Sequence, residues 1–317
     1  MTEVFDVLTM GRISVDLYPH DIGVSLRDVT TFGKFLGGTA TNVAVAAARY
    51  GRRAAVITRT GDDPFGEFLH DALRRYEVDD RYVTAVPGLP TPLAFCEIFP
   101  PDHFPLYFYR YPTAPDLVIQ ADDLDLDAIR AARIFWVTAT GLSAEPSRSA
   151  TLRALEYRGG AGITVLDLDY RPMFWPSVTE ARAQIARALP HVTVAVGNRD
   201  ECATAVGSAD PRTAAALLHR AGVGIAVVKQ GPAGVLASDG TTEVEVPPVE
   251  VDVVNGLGAG DAFGGALCHG LLAGWDLGRT LRFSGAAGAL VASRLACADA
   301  MPRAGDVEAL LGEAARA

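Results

Sequence analysis

The run Asn255-Gly256-Leu257-Gly258-Ala259-Gly260-Asp261-Ala262-Phe263 joins three small residues to one carboxylate, directly before a stretch that reads as helix over 262–272. A helix start leaves several backbone N–H groups unpaired and carries partial positive charge. Glycine and alanine there let an anion's oxygen reach the bare backbone. Gly258, Ala259 and Gly260 are therefore candidates for stabilising the charge that develops on a phosphoryl group in transfer. Asp261 stands at the mouth of that hole. With an ordinary carboxylate pKa of about 4 it is ionised at neutral pH. It can accept the proton of an attacking alcohol in a reaction that otherwise depends on positioning. The competing reading of the same run is a tight turn with Asp261 as a helix cap.

A second run, Gly37-Gly38-Thr39-Ala40-Thr41-Asn42, precedes a helix expected over 41–50. Adjacent glycines let a small ligand lie against the backbone, and Asn42 both donates and accepts, which suits a sugar hydroxyl. A glycine turn with Asn near a cap accounts for this run equally well.

The fold has to bring these segments together. Short apolar or β-branched runs at 4–10, 54–60, 134–138, 162–167, 192–197 and 225–230 alternate with amphipathic stretches at 41–50, 64–76, 147–158, 179–189 and 211–221. Helices follow from 260 to the end. Such alternation predicts an α/β fold with a mainly parallel sheet covered on both faces. The stretches 16–35 and 90–110 break the pattern. They hold candidate strands at 30–35, 93–99 and 106–109, which read as a small antiparallel β lid over a site that must exclude water. The division expected is an α/β core of 1–15, 36–88 and 111–317 with a lid of 16–35 and 89–110.

Bulk properties remove several alternatives. The chain carries 28 Lys and Arg against 38 Asp and Glu, a formal net charge of −10 without a basic block, which argues against nucleic acid as a partner. Cys96, Cys202, Cys268 and Cys297 are far apart and the six histidines show no HExxH spacing, so neither a zinc site nor a disulfide framework is expected. No signal peptide and no apolar run of roughly 20 residues is evident, so a cytoplasmic protein without a membrane partner is expected. The first strand leads into Gly11-Arg12-Ile13-Ser14 rather than GxGxxG, which excludes a Rossmann dehydrogenase.

The two glycine runs together resemble the paired signatures of the ribokinase-like, or pfkB, carbohydrate kinases. Gly37-Gly38-x-Ala40-x-Asn42-x-Ala44 with Gly51 and Gly61 is similar to the first, and Gly258-Ala259-Gly260-Asp261 to the second. Asn255 and Gly256 stand where that family usually carries Asp and Thr. The resemblance implies a three-layer α/β/α sandwich with an inserted lid, ATP as phosphoryl donor, Mg²⁺, and Asp261 as base. It implies that Asp16, Gly37, Gly38 and Asn42 hold the sugar. Asn198 and Glu201, in Asn198-Arg199-Asp200-Glu201, would sit near the phosphates, with Glu201 steadying Mg²⁺ through water. Lys229, Gly231 and Gly234 would line the nucleotide together with Gly258 and Gly260. A monovalent cation such as K⁺ near Asp252 and Val254, and a homodimer paired through the lid, are further implications.

Arg110 and Arg171 resemble arginines that hold the substrate carboxylate and nearby phosphates in the family's sugar-acid kinases, a contact suited to the guanidinium fork. Finer likeness lies in Thr31–Gly38, Leu93–Ile98, Leu166–Pro172 and Ser293–Pro302. These segments resemble the kinases of myo-inositol degradation that phosphorylate the C6 hydroxyl of 5-dehydro-2-deoxy-D-gluconate. The alternatives are a 2-dehydro-3-deoxygluconate kinase or a fructokinase and, outside enzymes, a ligand-binding regulator on the same fold.

Overall fold

A computed structural model describes residues 4–314. Residues 1–3 and 315–317, the outer ends of the expected first segment and last helices, lie outside the described residues. The strands are β1 (Val7–Met10), β2 (Ser14–Pro19), β3 (Phe32–Gly37), β4 (Ala54–Gly61), β5 (Val78–Asp79), β6 (Val83–Val86), β7 (Leu93–Cys96), β8 (Leu106–Tyr109), β9 (Ile134–Thr138), β10 (Ile163–Asp167), β11 (Val194–Asn198), β12 (Ile225–Lys229), β13 (Val235–Ser238) and β14 (Glu243–Val246). The helices are α1 (Thr39–Arg49), α2 (Pro64–Arg75), α3 (Leu126–Ala131), α4 (Ser147–Arg158), α5 (Val178–Ala188), α6 (Arg199–Val206), α7 (Pro211–Arg220), α8 (Ala259–Leu272), α9 (Leu277–Ala292) and α10 (Ala304–Ala314).

The large sheet runs β14-β13-β12-β11-β10-β9-β1-β4-β5, with β6 also on β4. It is parallel from β12 across to β4, β5 and β6, and antiparallel only at the β12-β13-β14 edge. Successive side chains of a strand point to opposite faces, and both faces here are apolar. Val7, Trp136, Val165, Val196 and Val227 enter one core with residues of α1, α8 and α9. Leu8, Phe135, Leu166, Ala195 and Val228 enter the other, with Ile129, Leu155, Ile185 and Leu218 from the helices on that side. This is the three-layer arrangement that the strand–helix alternation predicts.

The small sheet runs β3-β2-β7-β8. It differs from the expected antiparallel flap in one pairing: β2 and β7 are parallel, Asp16 facing Ala94, while the outer two pairings are antiparallel. The reason is connectivity. Between β2 and β7 the chain passes through α1, β4 and α2, the long crossover that a parallel pair needs. The central strand β2 leaves β1 after only three residues, Gly11 to Ile13. Period-two alternation then puts Ser14, Asp16, Tyr18, Ala94, Leu106 and Phe108 together on the face toward the core.

A seam of small residues joins α1 to α8. A Cβ added at Gly265 would lie 2.3 Å from the Ala46 Cβ, and one at Gly264 would lie 2.7 Å from the Trp136 ring. An added methyl in such a seam costs about 1–3 kcal/mol by overpacking. The close approach brings the first turns of α1 and α8 side by side.

Candidate functional site

A cleft of about 260 Å³ opens between the small sheet and the carboxyl ends of β1, β10, β11 and β12, where open α/β sheets bind ligands. Of the residues singled out in the sequence, Asp16, Gly38, Asn42, Arg171, Asn198, Glu201, Lys229, Gly258, Gly260 and Asp261 line it. Ala259 opens α8 between two of them.

Six helices, α2, α3, α5, α6, α7 and α9, have a side chain accepting from their first turn: Asp63, Asp125, Ser177, Asn198, Asp210 and Asp276. Helices α1 and α8 start on Gly38 and Gly258 without one. Helix α8 begins at Ala259 rather than at the expected 262, so Asp261 sits in the first turn and is not the cap. Its first turn borders the cleft and its amides have no side-chain cap among the described residues, which is the electrostatic setting for an anion. Gly258 has φ +81°, and a Cβ there would lie 2.6 Å from the Cys297 sulfur. Gly258→Ala therefore combines left-handed strain with overlap, and should destabilise the fold by about 2–4 kcal/mol in urea unfolding. A loss below about 1 kcal/mol would mean that the Cys297 loop yields freely.

The Asp261 Oδ2 accepts from Asn42 Nδ2 at 2.7 Å, while the Asn42 Oδ1 is buried without a partner among the described residues. Burial pushes the Asp261 pKa up to about 6, against the lowering effect of Asn42. The free-carboxylate value of about 4 is thus corrected upward. Asp16 is likewise pushed up to about 6 by burial, although Ser14 and Tyr18 donate to its two oxygens, each at 2.9 Å. Gly37 contributes by absence: a Cβ there would fall 2.1 Å from the Asp16 carboxyl. Gly38, at φ +101°, runs so close to the Arg12 carbonyl that a Cβ would approach it to 2.4 Å.

Asn198 and Glu201 form a reciprocal cap for α6: the Glu201 amide donates to Asn198 Oδ1 at 2.9 Å, and Glu201 Oε2 accepts from the Asn198 amide at 2.6 Å. The other Glu201 oxygen has no hydrogen bond among the described residues. Lys229 reaches the first turn of α8, where a Cβ at Gly260 would meet its Nζ at 3.3 Å. Burial opposes its charge, but Glu201, Asp167 and Asp261 outweigh that and raise its pKa. Asp167 is pushed up to about 8 by burial, with Lys229 pulling the other way.

Several cleft residues carried no assignment from the sequence: Arg12, Ser14, Tyr18, Thr39, Asp167, Asp169 and Cys297. Asp169 accepts from Arg12 Nη2 on one oxygen and from Arg171 Nε on the other, both at 3.0 Å. Burial disfavours its charge, yet the two arginines hold its pKa well below the usual carboxylate range. Charged residues at the carboxyl ends of buried strands are a legible signal for Arg12, Asp167 and Asp169; Tyr18 and Cys297 offered none.

Five expected residues are not on the cleft wall: Gly37 and Ala259 adjoin lining residues, and Gly231, Gly234 and Arg110 lie off it. Gly231 and Gly234 sit in the loop after β12, with Gly231 exposed and the Gln230 amide donating to the Gly234 carbonyl at 2.8 Å. Arg110 opens on a second cavity of about 490 Å³ beyond Phe108 and Phe174. Its guanidinium pairs with buried Asp116 at 2.8 Å.

The model of the pfkB family of carbohydrate kinases matches residues 4–304. The chain belongs to that family. As a pfkB-family carbohydrate kinase it is an enzyme, and its relatives narrow the comparison. It is 33% identical over 310 residues to the 5-dehydro-2-deoxygluconokinase of Geobacillus thermodenitrificans, covering 96% of this chain and 92% of that protein. It is 32% identical to the enzyme of the same name from Clostridium perfringens, over 94% of this chain and 90% of that one. Among solved structures, a fructokinase of Xylella fastidiosa with bound ATP superposes with a TM-score of 0.86 at 25% identity, over 98% of this chain and all of that one. An E. coli protein in complex with ATP and Mg²⁺ gives 0.89 at 22% identity over 98% of this chain and all of its own, a likeness of fold. Among the described residues no helix is long and apolar enough to cross a membrane.

Proposed function

We propose that this pfkB-family kinase transfers the γ-phosphoryl group of ATP to the C6 primary hydroxyl of 5-dehydro-2-deoxy-D-gluconate. The observation that carries the chemistry is the uncapped start of α8, with Asp261 in its first turn and Lys229 against Gly260. The names borne by the Geobacillus and Clostridium relatives support the substrate.

In this reading Asp16, Gly38 and Asn42 hold the sugar, the orphaned Asn42 Oδ1 accepting one of its hydroxyls. Gly37 keeps room for the Asp16 carboxyl. Asp261 takes the C6 hydroxyl proton, and that oxygen attacks the γ-phosphorus in line as the bond to the ADP oxygen breaks. The amides of Ala259, Gly260 and Asp261, with Lys229 and Arg171, absorb the charge on the transferring group. Asn198 and the loop of Gly231 and Gly234 flank the rest of the nucleotide.

Glu201 suits a metal carried in with the phosphates: it is buried, acidic and has one oxygen free of hydrogen bonds among the described residues. No group of three His, Cys, Asp or Glu able to hold a metal occurs among those residues. Mg²⁺ would therefore rest on Glu201 through water and take its remaining ligands from phosphate and solvent. When bound, it would supply positive charge that offsets the charge of the phosphates.

The test is ADP release measured over a panel of 5-dehydro-2-deoxygluconate, 2-dehydro-3-deoxygluconate and fructose. The expected result is the highest kcat/KM on the first, with phosphate recovered on C6. A higher value on either of the others reassigns the substrate within the family.

A further inference from the structure

Arg12 is 5% exposed, yet it lines the cleft. It lies in the three-residue link between β1 and β2, where the core hands the chain to the small sheet. Its Nη2 is held by Asp169 and Thr39 and its Nε reaches Thr140 at 3.4 Å. The rings of Phe108 and Phe174 each lie 5.7 Å from its Cζ. Its Nη1 has no partner among the described residues. This is a cation fixed in orientation, with one donor edge left over beside a sugar-sized cleft. Asp169, the carboxylate that pairs directly with Arg12, is shared with Arg171. Asp16, on the same side, already has a donor on each oxygen.

Phe174 contacts both Arg12 and Arg110. The Arg110 Cζ lies 5.0 Å from the Phe174 ring, and Phe108 packs edge-on to Phe174 at 5.0 Å. Of the two arginines, Arg12 lines the cleft and Arg110 the second cavity. Arg110 faces the second cavity and is neutralised by Asp116.

We infer that Arg12, and not Arg110, reads the carboxylate of the sugar-acid substrate and so sets the enzyme's preference for acids over neutral sugars. The inference rests on the sugar-acid reading above. With the C6 hydroxyl at Asp261, the carboxylate lies at the far end of the six-carbon chain, toward the small sheet. There Arg12 offers a planar, charged donor whose fork a lysine does not reproduce.

The experiment compares kcat/KM for 5-dehydro-2-deoxygluconate with that for its neutral C1-alcohol analogue, in the full-length wild type and in Arg12→Gln, Arg12→Lys and Arg110→Gln. Losing a charge-assisted contact should lower the acid-over-alcohol ratio about a hundredfold in Arg12→Gln, mostly through KM for the acid. Arg12→Lys should recover about tenfold of it, a rescue that a purely structural role would not produce. If Arg12→Gln does not fold, Arg12→Lys carries the test through the same ratio, which should fall about tenfold from wild type. A ratio that survives in Arg12→Gln, or falls further in Arg110→Gln, overturns the inference while leaving the substrate reading intact. A wild type that phosphorylates the alcohol as well as the acid overturns this inference alone, and one that takes no sugar acid overturns both.

Discussion

Asp261→Asn should lower kcat by about 10³–10⁴-fold while the dissociation constant for ATP stays within a few-fold of wild type. The substitution keeps the size of the side chain and leaves the first-turn amides of α8 and Lys229 in place, so the phosphate contacts persist. What it removes is the one carboxylate at the helix start that can accept the alcohol proton. The raised pKa of Asp261, about 6, gives a second readout. The proposed base works only when deprotonated, so wild-type kcat/KM should fall as pH drops through about 6, and in Asp261→Asn that fall should shrink to the part contributed by Asp16, which burial also pushes to about 6. Single-turnover rates with saturating ATP, together with equilibrium nucleotide binding, measure both. Turnover within tenfold of wild type would remove Asp261 from the role of base.

Lys229→Met should cost about 10²–10³ in kcat, with a rise in KM for ATP and little change in sugar affinity. The ammonium is the cation set against Gly260, at the amides proposed to hold the transferring group. Its loss also strips the counter-charge from Asp167, whose pKa burial already pushes up to about 8. The sign of the stability effect follows. A carboxyl with a raised folded pKa binds its proton more tightly in the folded state, so its contribution is fully present below the unfolded pKa of about 4 and is lost as pH rises through the folded value. Without Lys229 the cost of ionising Asp167 grows. The Tm deficit of Lys229→Met relative to wild type should therefore be small at pH 5 and widen toward pH 9. A deficit that stays flat with pH would mean that Lys229 does not balance Asp167.

The large sheet was legible because its strands are short apolar runs such as Ile134–Thr138 and Ile225–Lys229, separated by long amphipathic helices, and that period carries its own address. The start of α8 was legible to within three residues, and the run Gly258–Asp261 was told from a capped turn by its resemblance to the family's second signature. The small sheet was read only in part. Ser14–Pro19 fell at the start of the lid stretch without being read as a strand, and the parallel pairing of β2 with β7 depends on a crossover no local pattern encodes. The β13–β14 hairpin and the short α6 were passed over, although Asn198 and Glu201 carry the spacing of a capping box. The pKa of Asp261 was misjudged because burial is a property of the assembled cleft. Arg110 falls in step with Leu106 and Phe108 along β8, which points it inward; buried Asp116 holds its guanidinium at the second cavity instead.

The near-absence of side chains where α1 meets α8 has a consequence for how this enzyme can diverge. Ala46, Gly264 and Gly265 fix how far apart the two helix axes lie, and hence the gap between Asn42 and Asp261. Retuning that gap takes a methyl group on the buried side of either helix, about one turn below the reacting groups. Positions that never meet a ligand thus act as the calibrating screws of the instrument. A lineage could shift its rate by drifting there, with every ligand-facing residue unchanged.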